Sequence, residues 1–355
     1  MGALAGPAAG LSAPAPLQEG WPAVTADFSG GTLVWAESRT IRLPGDPALR
    51  QPGFPYWSVE SYSVALRNRT FLSAAARRVV VRNQVGPNDR TKVAGGGSAG
   101  RGRFTVLAGG RRFAPPLIWC CTEDRGIEVV LESDGRDGGP AVIAASPDGP
   151  SVRYLLRQDE AVRLISVDPA LMDVNPVGAL LGRTEAPFPT PAPDRVAMAP
   201  GVVAWVDAAA GPGPQAVRVA RISADGTLSE AAPLRQPGQV LRIWASRPVL
   251  AVAVRRGPGR IEIARHEVAT GRRSVLWRGS RVPPVAIGGG AIVVADGRRV
   301  LGGRGARMRL ARTAAGVVAA LATDGRRVAS FERIRVRPRS GPALRRTAVR
   351  LAAVR

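Results

Sequence analysis

Histidine occurs once in this chain of 355 residues, at His266, and lysine once, at Lys92. A Ser-His-Asp triad needs a base that exchanges a proton near neutrality, so any such triad here must run through His266. Its setting, IARHEVATG, reads as an alternating strand and predicts an exposed or partly satisfied side chain. No Gly-x-Ser-x-Gly elbow occurs. The only cysteines are neighbours, Cys120 and Cys121, which cannot frame a disulfide scaffold. Alternation sends one of them inward and the other outward. With His266 they make three soft ligands in all, which excludes a closed zinc site built on several of them. The turn SDGRDGGP brings two carboxylates, Asp134 and Asp137, too few for a calcium cage. The glycine run GGGSAGRG leads into the strand-like RFTVLAG and not into a helix, which excludes a phosphate loop. No metal or cofactor is expected. No apolar run reaches 18 residues, so no transmembrane helix is predicted. Aromatics are scarce, and the basic C-terminal stretch holds only Phe331. Sheets that stack bases interleave aromatics with cations, so nucleic acid is not the expected partner.

Arginine, glycine and proline are abundant. The net charge is +23, with 50 Lys and Arg against 27 Asp and Glu. From Arg298 to Arg355 there are 16 arginines against Asp324 and Glu332 alone. Such a field attracts anions with salt-sensitive strength, and it also serves as a solubilising surface. With 42 Gly and 31 Pro the chain is rich in turns, against long helices. The apolar fraction of 45% supports a buried core.

A seven-residue phrase recurs: GTLVWAE from Gly31, GVVAWVD from Gly201 and GAIVVAD from Gly290. The gaps divide into steps of about 43–44 residues, four and then two, and such steps built from short strands mark β-propeller blades. The apolar run suits a strand buried on both faces. Stepping along the chain finds SAAARRVVVRN near residue 74, PPLIWCCTE near 116, SVRYLLR at Ser151–Arg157 and RPVLAVAVRR near 246. The expected fold is therefore all-β, a propeller with seven four-stranded antiparallel blades preferred and six or eight allowed. Asp-Gly turns at Asp134, Asp137, Asp148, Asp225, Asp296 and Asp324 fit tight hairpins. VVADGRRV and LATDGRRV read as two hairpins of related design, and IEIARHEVATGRRSVLW as an outer blade hairpin. GGGSAGRG reads as a flexible loop, and the proline-rich residues 168–193 as a long connection with a single helical turn in ALMDVNPVGALLG.

The glycine-opened strand, the outer hairpins and the repeat step together resemble TolB-like and WD-repeat-like propellers from Trp21 to Val336. The Trp-Asp and Gly-His signatures of true WD repeats are absent, and the SPDG turn of TolB-like repeats occurs once, at Ser146–Gly149. The resemblance implies an interaction scaffold, often in the cell envelope, and transfers no site.

Three segments follow: residues 1–20 as a disordered lead or the remnant of a secretory signal, 21–337 as the propeller, and 338–355 as a basic tail or a ring-closing strand. Export from the cytoplasm is suspected from the small, apolar start. The leading function is non-catalytic binding of a protein or extracellular ligand on one face of the ring. Two alternatives stand beside it. One is a lyase- or glycosidase-type propeller enzyme, the other weak polyanion binding by the C-terminal third. Glu37, Asp207 and Asp296 end the same strand type, so symmetry puts them in one ring near one face, as a candidate acidic rim of the channel. The same carboxylates also fit as strand-end caps that meet arginines.

Overall fold

The computed structural model describes residues 184–336 (224 apart) and 344–354, and upstream of these the strand segments between 23 and 167; before residue 143 only backbone pairing is described. The described residues hold strands and no helix. Seven antiparallel sheets follow one another along the chain, numbered here as blades 1–7. Blade 1 holds β1 (Ala23–Ser29), β2 (Thr32–Arg42), β3 (Trp57–Leu66) and β4 (Ala76–Val81). Blade 2 holds β5 (Lys92–Ala99), β6 (Gly102–Ala108), β7 (Leu117–Cys120) and β8 (Ile127–Val130), and blade 3 holds β9 (Ala141–Asp148), β10 (Ser151–Gln158), β11 (Ala161–Val167) and β12 (Thr184–Phe188). Blade 4 holds β13 (Pro191–Ala199), β14 (Val202–Asp207), β15 (Gln215–Ile222) and a split outer strand, β16 (Leu228–Glu230) with β17 (Leu234–Gln236). Pro233, which has no N–H to give a ladder, lies in the break. Blade 5 holds β18 (Gln239–Ser246), β19 (Val249–Gly257), β20 (Arg260–Glu267) and β21 (Arg273–Gly279), and blade 6 holds β22 (Val285–Gly288), β23 (Ala291–Asp296), β24 (Arg299–Gly303) and β25 (Arg309–Thr313). Blade 7 holds β26 (Val317–Thr323), β27 (Arg327–Val336) and β28 (Leu344–Ala353). Each blade's first strand packs against the next blade's first strand, and β26 packs against β1, which closes the ring.

The repeated phrase is the second strand of its blade. Register places Trp35 opposite Ala26, Trp205 opposite Val196 and Val294 opposite Val285, each three residues from the turn between first and second strands. Both faces of this strand are buried, which is why it reads as an unbroken apolar run. Val202, Ala204 and Val206 pack toward blade 5 with Val240, Leu250, Val252 and Val254. Val203 and Trp205 pack toward blade 3 with Leu155, Leu164 and Phe188. The Trp205 ring meets Phe188 edge-on at 5.0 Å, a wedge between blades. Val294 packs toward blade 5 with Ala251, Ala253 and Ile263.

The repeat is less regular than an even step predicts. Second strands begin at residues 32, 102, 151, 202, 249, 291 and 327. The stretch from Gly31 to Gly201 thus spans three blades and not four. Near residue 74 lies the outer strand of blade 1, near 116 the third strand of blade 2, and blade 7 supplies a second strand that the phrase search passes over. Connections at the ring ends vary in length at low cost, so blade number and residue step separate. GGGSAG is no loop: Gly95, Gly96 and Gly97 pair with Val106, Thr105 and Phe104 in the first hairpin of blade 2. VVADGRRV joins second and third strands, while LATDGRRV joins first and second, so the two hairpins sit at opposite ends of the ring. IEIARHEVATGRRSVLW is the outer hairpin of blade 5, as read. Residues 344–353 form the third strand of blade 7, paired with β27. Residues 1–20, the turn with Asp134 and Asp137, Cys121 and the segment ALMDVNPVGALLG lie outside the described residues.

Candidate functional site

Strand polarity gives the ring two unlike ends. At one end lie the turns between first and second and between third and fourth strands. At the other lie the turns between second and third strands and the connections from blade to blade; this is called the connection face below.

The turn end of blades 5–7 is closed on itself. Arg265, on β20 and nearly buried, donates from Nη1 to the Gly290 carbonyl of blade 6 at 2.9 Å. Arg304 of blade 6 repeats the contact one blade on, donating from Nη2 to the Gly325 carbonyl of blade 7 at 2.9 Å. Arg153 of blade 3 reaches the Ile222 carbonyl of blade 4 at 3.3 Å. Each guanidinium thus satisfies a carbonyl of the following blade, a charge-assisted bond in a partly dry interface. The first turns of blades 6 and 7 also meet glycine to glycine, at Gly289 and Gly325.

Glu37, Asp207 and Asp296 occupy one register position at the connection-face end of the second strands of blades 1, 4 and 6. These strands lie one strand out from the innermost, and the three blades are not neighbours in the ring. The side chain of Glu37 lies outside the described residues. Asp207 accepts from Trp205 Nε1 at 3.0 Å and from Arg218 Nη1 at 3.3 Å. Arg218 also bonds Glu230 through Nη2 at 2.6 Å and lies 5.2 Å over the Trp205 ring. Its pKa moves up, chiefly through the hydrogen bond to Glu230. Asp207 therefore caps a strand end and meets an arginine. Asp296 is exposed.

Around Asp296 the connection face of blades 5–7 is basic. Arg260 lies at the β19–β20 turn, Arg281 follows β21, Arg299 opens β24, and Arg333 and Arg335 end β27; all five are exposed. None of the five ion pairs identified in blades 4–7 beyond Arg218 uses them: Arg256 and Arg273 bind Glu262, Arg312 binds Glu332, and Arg327 binds Asp324. Val317, which opens β26 and pairs in register with Arg333, is 65% exposed among them.

His266 is not on this face, nor on any surface. It is 1% exposed on β20, and its Nε2 lies 3.2 Å from Oε1 of Gln236 in blade 4. The amide nitrogen of Gln236 is committed to the Leu234 carbonyl, so Oε1 accepts and His266 Nε2 carries the proton. Nδ1 is buried without a hydrogen-bond partner. The expectation of an exposed side chain fails because the third strand, like the second, is sandwiched between blades. Burial first, and the Arg273 guanidinium second, push the imidazole down to about 4. The unfolded chain therefore binds this proton first as pH falls. Stability is whole above the unfolded value near 6.5, declines toward pH 4 and levels off below it. The loss expected from this one group is about 3 kcal/mol. Urea midpoints at pH 7 and pH 4.5 should converge less for wild type than for His266→Leu, whose remaining pH dependence comes from the carboxylates alone; equal pH dependence would reject the assignment.

No protein-family model and no curated protein matches this chain. Solved structures match it across the ring. Puromycin hydrolase superposes with a TM-score of 0.53 at 16% identity, over 89% of this chain and 50% of that one. The chain thus spans about half the length of that hydrolase. YCF48 bound to D1 peptide gives 0.52 at 9% identity, over 97% and 96%. The β-propeller domain of the Trilobed protease from Pyrococcus furiosus gives 0.50 at 8%, over 92% and 98%. The fold is that of a β-propeller, and the propeller resemblance drawn from the sequence holds at that level.

Proposed function

We propose that this chain is a non-catalytic propeller scaffold that binds a protein or other ligand on its connection face, the face carrying Asp207, Asp296 and the exposed arginines. The observation that carries the reading is the asymmetry of the two ends. At the turn end of blades 5–7, arginines and glycines are spent on fastening blade to blade. At the connection face, arginines and an apolar side chain stand exposed with no such task. Loops held at one end of a rigid ring are a common place for recognition. YCF48, a propeller of similar extent, is described as bound to a peptide, which supports the class of job. The candidate acidic rim of Glu37, Asp207 and Asp296 belongs to the same face as a point of contact. The lyase- or glycosidase-type alternative draws less support, because Asp207 already bonds Trp205 and Arg218. Placement outside the cytoplasm is part of the proposal; no helix among the described residues is long and apolar enough to cross a membrane.

Photo-crosslinking amino acids at Arg260 or Val317 should yield adducts in cells that express the chain, while the same probe at Arg272 or Arg326 should not. Adducts at both ends alike would overturn the choice of face. Turnover of a polysaccharide panel that is abolished by Asp207→Asn or Asp296→Asn would replace the scaffold with the enzyme.

A further inference from the structure

We infer that the connection face of blades 5–7 takes an acidic, extended polypeptide segment with aliphatic side chains spaced among its carboxylates. The inference rests on the scaffold reading and names its ligand class.

Three observations converge on this chemistry. First, the charge there is one-sided and available. Arg260, Arg281, Arg299, Arg333 and Arg335 line three successive blades, and Asp296 is the one exposed acid placed among them. Glu262 and Glu332 are buried and already paired. Guanidinium groups favour carboxylate through two parallel N–H donors, so a partner bearing several carboxylates gains a bidentate bond at each.

Second, the patch has an apolar point. Val317 is 65% exposed at the start of an otherwise buried strand, opposite Arg333 in the β26–β27 register. An aliphatic side chain seated on Val317 puts a carboxylate on the neighbouring residue within reach of Arg333. A bare polyanion has no use for Val317.

Third, stacking groups are missing. Phe331, next to the arginines of β27, is fully buried, and Trp244 and Trp277 are packed against the core between blades 5 and 6. Single-stranded nucleic acids gain much of their affinity from bases laid on exposed aromatics. A patch spread over three blades, without aromatics and with an aliphatic contact, suits an extended acidic peptide better.

The test uses the full chain and three probes of equal formal charge: a 12-residue peptide alternating Glu with Val or Leu, hexa-glutamate, and a short single-stranded DNA. Fluorescence anisotropy at low and physiological salt should rank the alternating peptide tightest. Arg333→Glu with Arg335→Glu should weaken it about tenfold or more, or about 1.4 kcal/mol. Val317→Ser should weaken the alternating peptide several-fold and leave hexa-glutamate unchanged. Arg272→Glu with Arg326→Glu, on the opposite end, serves as the charge-matched control and should change little. DNA binding tighter than the peptide, or equal losses from both charge pairs, or no binding by the peptide at low salt, would each overturn the inference. If crosslinks concentrate at Arg260 and Val317 while the peptide fails, the scaffold reading stands and only this ligand class falls.

Discussion

Replacing Glu332 by alanine should cost about 3–5 kcal/mol of stability, the range for stripping one partner from a buried ion pair. Glu332 is fully buried on β27, yet it holds three donors: Arg312 Nη2 at 2.9 Å, the Ala315 N–H at 2.8 Å and the Ser330 hydroxyl at 2.8 Å. Arg312 belongs to the outer strand of blade 6 and Ala315 to the connection that leads into blade 7. One carboxylate therefore ties two blades and the segment between them. Burial works against the charge of Arg312 and lowers its pKa, Glu332 opposes that, and Arg350 on β28 adds to it. Glu332→Ala leaves Arg312 facing Arg350 with no counter-charge and leaves the Ala315 N–H without its acceptor. Glu332→Gln keeps an acceptor for Ala315 and removes only the charge, so it should fall between alanine and wild type. Glu332→Gln combined with Arg312→Met removes both charges and should return to within about 1–2 kcal/mol of wild type, because the desolvation cost of the pair disappears with it. Urea unfolding followed by tryptophan fluorescence reads all three. A Glu332→Ala loss below about 1 kcal/mol, or a double variant as weak as the worse single, would remove the pair from the blade 6–7 interface.

The same residues explain what was legible in the sequence. Where a second strand is apolar throughout, as in Val202–Val206 and Ala291–Ala295, burial on both faces writes a run that can be found by eye. Blade 7 uses the same register but places Ser330 and Glu332 inside it, so its second strand, VASFERI, does not look like the phrase. The partner that makes Glu332 tolerable sits in another blade, and no local pattern announces it. Blade 2 hides for a different reason: glycines at Gly95–Gly97 imitate a loop although they pair as a strand. His266 was misplaced because alternation was taken to mean one wet face, which holds for an open sheet and fails for strands packed between blades. The carboxylates at the second-strand ends were placed at equivalent positions correctly, yet they lie one strand out from the innermost ring. Much of the arginine excess looked like composition. Arg265, Arg304 and Arg312 show that part of it fastens blades, which leaves the exposed arginines of the connection face as the portion free to meet a partner.

Gly325→Ala should be among the most damaging single-methyl changes in the ring, and comparison with Gly297→Ala should show why. Both glycines have left-handed backbones, with φ of +88° and +62°, so an alanine at either carries the same kind of local strain, about 1–2 kcal/mol. Their surroundings differ. A Cβ on Gly297, in the second turn of blade 6, meets nothing within 4 Å. A Cβ on Gly325 meets the Gly288 carbonyl oxygen at 2.7 Å, the Gly289 Cα at 2.8 Å and the Gly289 oxygen at 3.0 Å. All three are backbone atoms of the neighbouring blade, with no side chain to rotate away. The blade 6 and blade 7 turns would have to part, and the Arg304 bond to the Gly325 carbonyl would be disturbed with them. Overpacking of this kind adds about 1–3 kcal/mol, so Gly325→Ala should lose about 2–5 kcal/mol in all against about 1–2 for Gly297→Ala. Denaturant midpoints of the two variants, measured side by side, decide the matter. Equal losses would mean that the turns of blades 6 and 7 do not meet, and the closed turn end, on which the choice of binding face depends, would go with them.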